Sequence, residues 1–343
     1  MKKNTITEII RFFLKFGIAA AVIGYLIYSK HAELKKSFVS FNYLWLLPAM
    51  FFYGSHMVVC AWRWGRLAKV LNVYLSPFET LSLTMQGYFF SLVIPGGAIG
   101  GDVVKMAVVS KRSSGGTKVE GAFTVLMDRI IGMIALFALA LALLYPASGL
   151  LMKLDIPGME NNFVIIVLIA LLCLAGLGAS CVIFFHRLWE KIPFVKSLIS
   201  WGDRCANGFI SRLTAATDTY SGNWRELLRL TVVSIFFVHL MTVIPMLFLL
   251  KGAGVEYSLF NVVVALTIGN IVGLIPLFPG GLGGRDIAVI AILTAGGING
   301  ASADAVQLLY SAIIIFFNML GGLFFVFDPG RRAAELTEEM ANE

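Results

Sequence analysis

A proline followed by a glycine-rich segment interrupts the apolar sequence twice, and both copies follow one pattern. The first copy is Pro95-Gly96-Gly97-Ala98-Ile99-Gly100-Gly101-Asp102, and the second is Pro279-Gly280-Gly281-Leu282-Gly283-Gly284-Arg285-Asp286. Proline and glycine end helices and free backbone groups, which hydrocarbon tolerates only where protein or a water-filled cavity surrounds them. Two matching breaks in separate halves of an apolar chain therefore predict an internal repeat with a transport site between its halves.

The composition places the chain in a membrane. It has 343 residues, of which 58% are hydrophobic and 14% are charged. A bilayer core of about 30 Å requires about 20 apolar residues per helix. Five charge-free windows reach that length: Ser37–Trp62, Ile130–Met152, Phe163–Phe185, Leu230–Leu250 and Ala305–Phe327. A sixth span is predicted over about 9–28, so the expected fold is an all-α polytopic membrane protein with about six full spans.

The same composition excludes several other classes of protein. The four cysteines are scattered, and neither a metal-binding spacing nor a nucleotide-binding or hydrolase motif is present, so no cofactor and no metal is expected. The net charge of +7 comes from basic residues that flank the spans. Attraction to anionic lipid headgroups accounts for such residues, and no nucleic-acid partner is expected.

Lysine and arginine in short loops predict the orientation in the membrane. The connection 187–229 holds seven of them, whereas the loops 153–162, 251–256 and 294–304 together hold only Lys153 and Lys251. The connection is therefore predicted to be cytoplasmic. We expect a multi-pass protein of the cell inner (cytoplasmic) membrane with both termini in the cytoplasm.

This orientation makes the two broken segments enter the membrane from opposite faces. The stretch 77–110 would begin and end in the cytoplasm, and the stretch 257–303 would begin and end outside. Asp102–Ser110 is only nine residues, or about 14 Å of helix, which is too short to cross. We therefore predict one transmembrane domain over 1–343, with two re-entrant hairpins in an inverted-topology repeat of about 40–150 and 228–328.

Charged residues at membrane depth are the candidates for chemistry, because each is costly to insert. They are Asp102, Lys105, Asp128, Arg129, Arg285 and Asp286. We take them as three acid–base pairs: Asp102–Lys105, Asp128–Arg129 and Arg285–Asp286. Each pair could neutralise itself when the site is empty and bind a phosphate through its cation when the site is occupied. The alternative is that these pairs are structural and hold broken helices together.

Backbone and amide groups complete the predicted binding site. Glycines at the ends of half-helices expose N–H groups that favour anions; they are Gly96, Gly97, Gly100, Gly101, Gly280, Gly281, Gly283 and Gly284. Gln86 and Asn270 each lie nine residues before a motif proline, and they either line the site or bond helices together. For His56 and His239, an interhelical hydrogen bond is predicted in preference to proton relay.

With these motifs in place, the chain resembles the flippase-like integral membrane family that includes the transmembrane region of lysylphosphatidylglycerol synthase. The resemblance rests on both glycine-rich motifs, on Lys105 and on the pair Asp128-Arg129. That family often has Arg where Lys105 stands, and Glu where Asp128 and Asp286 stand. The resemblance implies movement of a lipid or lipid-linked anion between leaflets.

The predicted function is that of a lipid translocase for an anionic phospholipid or a polyprenyl-phosphate-linked lipid. The cations Lys105, Arg129 and Arg285 would hold the phosphate, and the aspartates would balance them when the site is empty. The alternatives are a secondary transporter of a small anionic solute and a membrane-embedded enzyme acting on lipid phosphates. No enzymatic activity is expected, and a lipid-synthesising enzyme is the expected protein partner.

Overall fold

The structure, a computed structural model, describes residues 38–94, 98–112, 118–155, 161–184, 209–274 and 283–327, and this part of the chain is helical. We number the main helices in chain order: α1 Leu46–Val70, α2 Pro77–Val93, α3 Ala98–Arg112, α4 Lys118–Leu144, α5 Phe163–Phe184, α6 Phe209–Gly222, α7 Trp224–Val233, α8 Val243–Gly252, α9 Leu259–Val272, α10 Gly284–Ala295 and α11 Gly300–Val326. Shorter elements are the 3₁₀ turns Tyr43–Trp45 and Leu240–Thr242, the one-turn helix Ser148–Leu151 and a π-helical turn, Ser234–His239.

Five helical segments are long and apolar enough to cross a membrane: Tyr43–Val70, Val119–Leu144, Phe163–Cys181, Trp224–Gly252 and Gly300–Val326. Each overlaps one of the five predicted spans, so the all-α, multi-pass architecture is confirmed. The predicted sixth span at about 9–28 lies outside the described residues, as do 187–208 of the predicted connection.

One predicted span boundary was wrong. The first charge-free window ends at Trp62, but α1 continues to Val70 and includes Arg63. The error arises because charged residues were taken to lie at helix ends, whereas an ion pair inside the helix bundle satisfies Arg63. The window Ile130–Met152 overlaps the crossing segment Val119–Leu144, which begins before Asp128 and Arg129.

Each glycine-rich motif lies between two short helices. In the first hairpin, α2 has 17 residues and α3 has 15; in the second, α9 has 14 and α10 has 12. At 1.5 Å per residue these helices are about 18–25 Å long, shorter than the roughly 30 Å hydrocarbon core. The helix α3 begins at Ala98, so Gly100 and Gly101 lie within its first turn.

The described helices pack in matched pairs. The hairpin α2/α3 packs on α4 and α11, and the hairpin α9/α10 packs on α11 and α4. The helix α1 contacts α2 and α4, and α8 contacts the corresponding helices α9 and α11. If α1, α2, α3 and α4 are replaced by α8, α9, α10 and α11, and the reverse, each of these contacts in one half becomes a contact of the other half. Each hairpin thus lies between the long helix of its own half and that of the other half.

Close glycine contacts set the distance between several of these helices. A Cβ atom on Gly101 of α3 would lie 2.1 Å from the carbonyl oxygen of Gly87 on α2. A Cβ on Gly321 of α11 would lie 2.0 Å from the carbonyl oxygen of Met85, also on α2. The backbone of α2 therefore touches both neighbouring helices, which only glycine at these two positions permits.

The fourth crossing segment is irregular at its centre. Between α7 and α8 the helix changes to a π-helical turn and then to a 3₁₀ turn. Such turns occur often at functional sites. Here the π-helical turn faces α1 and α4 and directs Ser234 and His239 toward them. The helix α6, which comes before α7, is also bonded to α1. The Tyr220 hydroxyl on α6 donates to the Leu67 carbonyl. Burial, and to a smaller extent the nearby negative charge of Asp128, raises the pKa of Tyr220, so this hydroxyl keeps its proton.

Candidate functional site

The first cluster of charges contains a bidentate ion pair between the hairpin and α4. The guanidinium of Arg129 donates through Nε to one oxygen of Asp102 and through Nη2 to the other, at 2.8 Å. The Asp102 side chain is mostly buried, but that of Arg129 is 42% exposed. Arg129 therefore joins α3 to α4 and still presents part of its guanidinium on the surface of the protein.

A second, more deeply buried ion pair joins α1 to α4. Arg63 donates from Nε to the Asp128 carboxylate at 2.9 Å, from Nη2 to the Asp128 carbonyl at 3.3 Å and from Nη1 to the Ser234 hydroxyl at 2.9 Å. The two side chains are only 7% and 13% exposed. Arg63 thus connects three parts of the fold and has little contact with the surroundings.

Lys105 lies in the same region but contacts no carboxylate of the described helices. Its Nζ is 3.6 Å from the centroid of the Trp64 ring and donates to the Thr84 hydroxyl at 3.3 Å. The Trp64 indole is fixed in turn by donating from Nε1 to Thr124. Within the described chain Lys105 forms no salt bridge, although it is only 6% exposed. An aromatic face and a hydroxyl therefore hold this ammonium group.

Two of the three predicted acid–base pairs were therefore wrong. Asp102 pairs with Arg129 rather than with Lys105, and Asp128 pairs with Arg63 rather than with Arg129. Neighbouring residues on a helix point in different directions, so Asp128 and Arg129 face different partners. Asp102 and Lys105 are three residues apart, but the contacts of Lys105 with Trp64 and Thr84 direct it elsewhere.

The first cluster has an excess of positive charge. Lys105 lies within electrostatic range of Asp128, Asp102, Arg129 and Arg63. The three cations in this set face only two carboxylates, and each carboxylate is already paired with an arginine. The uncompensated charge is that of Lys105.

The second cluster contains the predicted pair Arg285–Asp286 and is fully paired. Arg285 donates to one Asp286 oxygen from Nε at 3.1 Å and from Nη2 at 2.8 Å. The same oxygen accepts from Gln307 at 2.8 Å and from Ser311 at 3.1 Å. The second oxygen accepts from the backbone N–H of Gly283 at 3.2 Å, so four described groups donate to this carboxylate.

The two clusters occupy corresponding places in the two halves. Asp102 and Asp286 each follow the motif proline by seven residues, and each bonds to a side chain on the next long helix. Those partners, Arg129 on α4 and Ser311 on α11, lie the same number of residues from the start of their helices. The second half thus has a hydroxyl where the first has a guanidinium, and its cation, Arg285, lies next to the aspartate in sequence.

The remaining predicted residues have more varied positions. Gln86 is buried and donates to Ser82 and to the Phe324 carbonyl on α11, so it bonds helices together. Asn270 is half-buried near the end of α9, Gly284 is the first residue of α10, and Gly283 before it has a φ of +92°. The predicted positions Gly96, Gly97, Gly280 and Gly281 lie outside the described residues.

Several residues of the clusters were missed by the sequence analysis: Arg63, Trp64, Thr84, Gln307 and Ser311. Arg63 directly follows the charge-free window that ends at Trp62, and the others have no charge to distinguish them in an apolar sequence. The available signal was spacing, because Gln307 and Ser311 are four residues apart and so share one face of α11. Among the residues that the structure describes, no three His, Cys, Asp or Glu side chains come together to hold a metal ion.

Comparisons with known proteins place this geometry in a family. The sequence model of the protein family described as the lysylphosphatidylglycerol synthase transmembrane region matches residues 12–322. A UPF0104 membrane protein of Pyrococcus horikoshii is 23% identical over 286 residues, which are 81% of this chain and 85% of the relative. Another, from Methanothermobacter thermautotrophicus, is 23% identical over 145 residues, or 40% and 43% of the two chains. The match covers both hairpins and both charge clusters, and the chain therefore belongs to the family of the lysylphosphatidylglycerol synthase transmembrane region.

Proposed function

We propose that this protein moves an anionic lipid between membrane leaflets and binds the lipid phosphate at the first cluster. One observation carries the proposal: Lys105 is a buried cation that pairs with no carboxylate among the described residues. Removing a charge from water is expensive, and proteins normally offset that expense with a counter-charge. A phosphate bound beside Lys105 would supply the missing counter-charge.

The surroundings of Lys105 suit a site that is alternately empty and occupied. The face of Trp64 attracts the ammonium electrostatically without neutralising it, with a strength of about 0.5–2 kcal/mol. This contact is strong enough to position Lys105 and weak enough to leave it available to an anion. Arg129, which is partly exposed, could add a second contact with phosphate.

The packing of the helices supports an alternating-access mechanism. The contacts of the first four helices are matched by those of α8–α11, as expected for repeats within residues 40–150 and 228–328. The hairpin helices are shorter than the hydrocarbon core is thick, which supports re-entrant segments. We propose that the repeats are inverted, with both termini on the cytoplasmic side of the inner membrane, so that each hairpin reaches the middle from a different face.

Transport by reconstituted protein would test the role of Lys105. Vesicles of phosphatidylcholine would contain a trace of tail-labelled phosphatidylglycerol, and dithionite quenching would report how fast the label reaches the outer leaflet. Loss of a hydrogen-bonded charge contact is worth about 1.5–3 kcal/mol, so Lys105→Gln should slow transport by about tenfold or more. The melting temperature of this variant should be unchanged or higher, because a buried uncompensated charge has been removed.

Lys251 provides a matched control. Its Nζ also lies over a tryptophan, 4.7 Å from the Trp45 ring centroid, but it is exposed. Lys251→Gln should therefore transport like the wild type. The proposal fails if Lys105→Gln keeps the wild-type rate, or if the wild type moves labelled phosphatidylcholine as fast as phosphatidylglycerol. Uptake of free glycerol phosphate without lipid movement would indicate a solute transporter, and chemical change of the lipid on thin-layer chromatography would indicate an enzyme.

A further inference from the structure

A row of polar side chains runs along one face of α1, between the two charge clusters. Tyr53, His56, Cys60 and Arg63 follow one another at intervals of three or four residues, so they share a helix face. All four are buried. We call these four residues the polar stripe.

The polar stripe touches both halves of the molecule. At one end, the ring of Tyr53 lies 6.2 Å from that of Tyr310, over which the Arg285 guanidinium lies at 5.8 Å. Toward the other end, Tyr88 on α2 is within electrostatic range of both Cys60 and Arg129. The ring of His56 lies between these ends, 5.7 Å from the ring of Tyr53.

The two histidines of the described spans differ in their hydrogen bonds. The Nε2 of His239 is 2.9 Å from the Gly132 carbonyl on α4, which confirms the predicted interhelical bond. For His56 that prediction was wrong, because its Nε2 contacts the thiol of Cys60 on its own helix, at 3.7 Å. The Nδ1 of His56 is a buried atom with no hydrogen-bond partner in the part of the chain that the structure describes, and the residue is 9% exposed. Buried polar atoms are normally hydrogen-bonded, so an unsatisfied nitrogen of this kind requires an explanation, and a catalytic or proton-binding role is one.

We propose that His56 is a proton-binding site that couples lipid movement to a proton gradient, an inference that rests on the proposed translocase function. Histidine changes its charge between about pH 5 and 8 and can accept a proton on one ring nitrogen while it donates from the other. The carboxylates are less suited: Asp286 is surrounded by donors, and both oxygens of Asp102 accept from Arg129.

The proton would bind together with the lipid. One proton adds to a lone pair of the neutral ring to give imidazolium, and the ring later releases one proton, so no other bond changes. The added positive charge would attract an anionic phosphate, and by reciprocity a bound phosphate would favour the proton. Among the described residues, the titratable and charged groups around His56 are Tyr53, Cys60 and Arg63 on α1, Tyr88 on α2, His239 in the π-helical turn, and Tyr310 with Arg285 beyond it. Arg63 is in turn paired with Asp128 on α4.

Two measurements on the full-length protein test this proposal separately from the translocase function. The chain has four histidines, so ¹⁵N-histidine NMR of the protein in detergent can assign the His56 signal by its loss in His56→Gln. The expected result is that His56 converts from neutral imidazole to imidazolium as the pH falls from 8 to 5. A ring that stays neutral throughout this range would overturn the proposal, whether or not lipid is transported.

The second measurement uses the labelled phosphatidylglycerol vesicles with an imposed pH gradient. One pH unit supplies about a tenfold driving ratio per coupled proton, so the wild type should accumulate label in one leaflet by up to that factor. His56→Gln should still move the lipid but reach equal leaflet populations, whereas His239→Gln should accumulate it like the wild type. Equal populations for the wild type, or accumulation by His56→Gln, would refute coupling at His56 while lipid movement itself still supports the translocase.

Discussion

The buried pair Arg63–Asp128 gives the most direct test of the structure. Replacing Arg63 with Met removes three hydrogen bonds and leaves the Asp128 carboxylate, which is 13% exposed, without its cation. Breaking a buried ion pair from one side typically costs about 3–5 kcal/mol, because a buried charge is left uncompensated. We expect Arg63→Met to lose that much stability.

Arg66 offers a matched control one turn further along the same helix. It bonds to Glu226 through two nitrogens at 2.8 and 2.6 Å, but these side chains are 39% and 22% exposed. Exposed ion pairs contribute about 0–1 kcal/mol. Arg66→Met should therefore have a small effect, even though its two hydrogen bonds resemble those of Arg63.

Unfolding in mixed micelles with increasing denaturing detergent, followed by circular dichroism, would measure both variants. The double variant Arg63→Met/Asp128→Leu should recover most of the loss, because replacing a whole buried pair with apolar groups is often neutral or stabilising. The reasoning is refuted if Arg63→Met is no less stable than Arg66→Met. It is also refuted if the double variant loses the sum of the two single losses, since the cycle would then show no coupling.

Two glycine substitutions test the hairpins. Gly101→Ala would place a Cβ 2.1 Å from the Gly87 oxygen and force α2 away from α3. Overpacking of this kind costs about 1–3 kcal/mol or more. Gly149→Ala, where the added Cβ would have no atom within 4 Å, should cause no such loss of stability in the same unfolding assay. Gly283→Ala would place a side chain at a φ of +92°, a strain of about 1–3 kcal/mol, and circular dichroism melting should show the loss; a stability equal to that of the wild type would contradict that backbone conformation.

The sequence was sufficient to predict the helices but less so their ends. Long apolar stretches identify spans because the hydrocarbon thickness sets their length, and this gave all five described crossings. Arg63 escaped this rule because its charge is neutralised by Asp128, 65 residues away. A charge that is satisfied by a distant partner has no local sign in the sequence.

The pairing of the charges was beyond the reach of sequence reasoning for a related reason. Asp128 and Arg129 are adjacent, but which helix each one faces depends on the rotation of α4 about its own axis. That rotation is set by packing against α1 and α3 together. Arg285–Asp286 was predicted correctly because both residues lie in the first turn of one helix, where local geometry alone brings them together.

This difference between the halves bears on how the hairpins could move under the proposed function. Arg285 and Asp286 belong to α10, so their ion pair moves as one body with that helix. Arg129 and Asp102 belong to α4 and α3, so any separation of these helices must break their pair. A lipid phosphate that binds Lys105 and competes with Asp102 for Arg129 would weaken the connection between α3 and α4. Occupation of the first cluster would therefore release the first hairpin and leave the ion pair of the second intact.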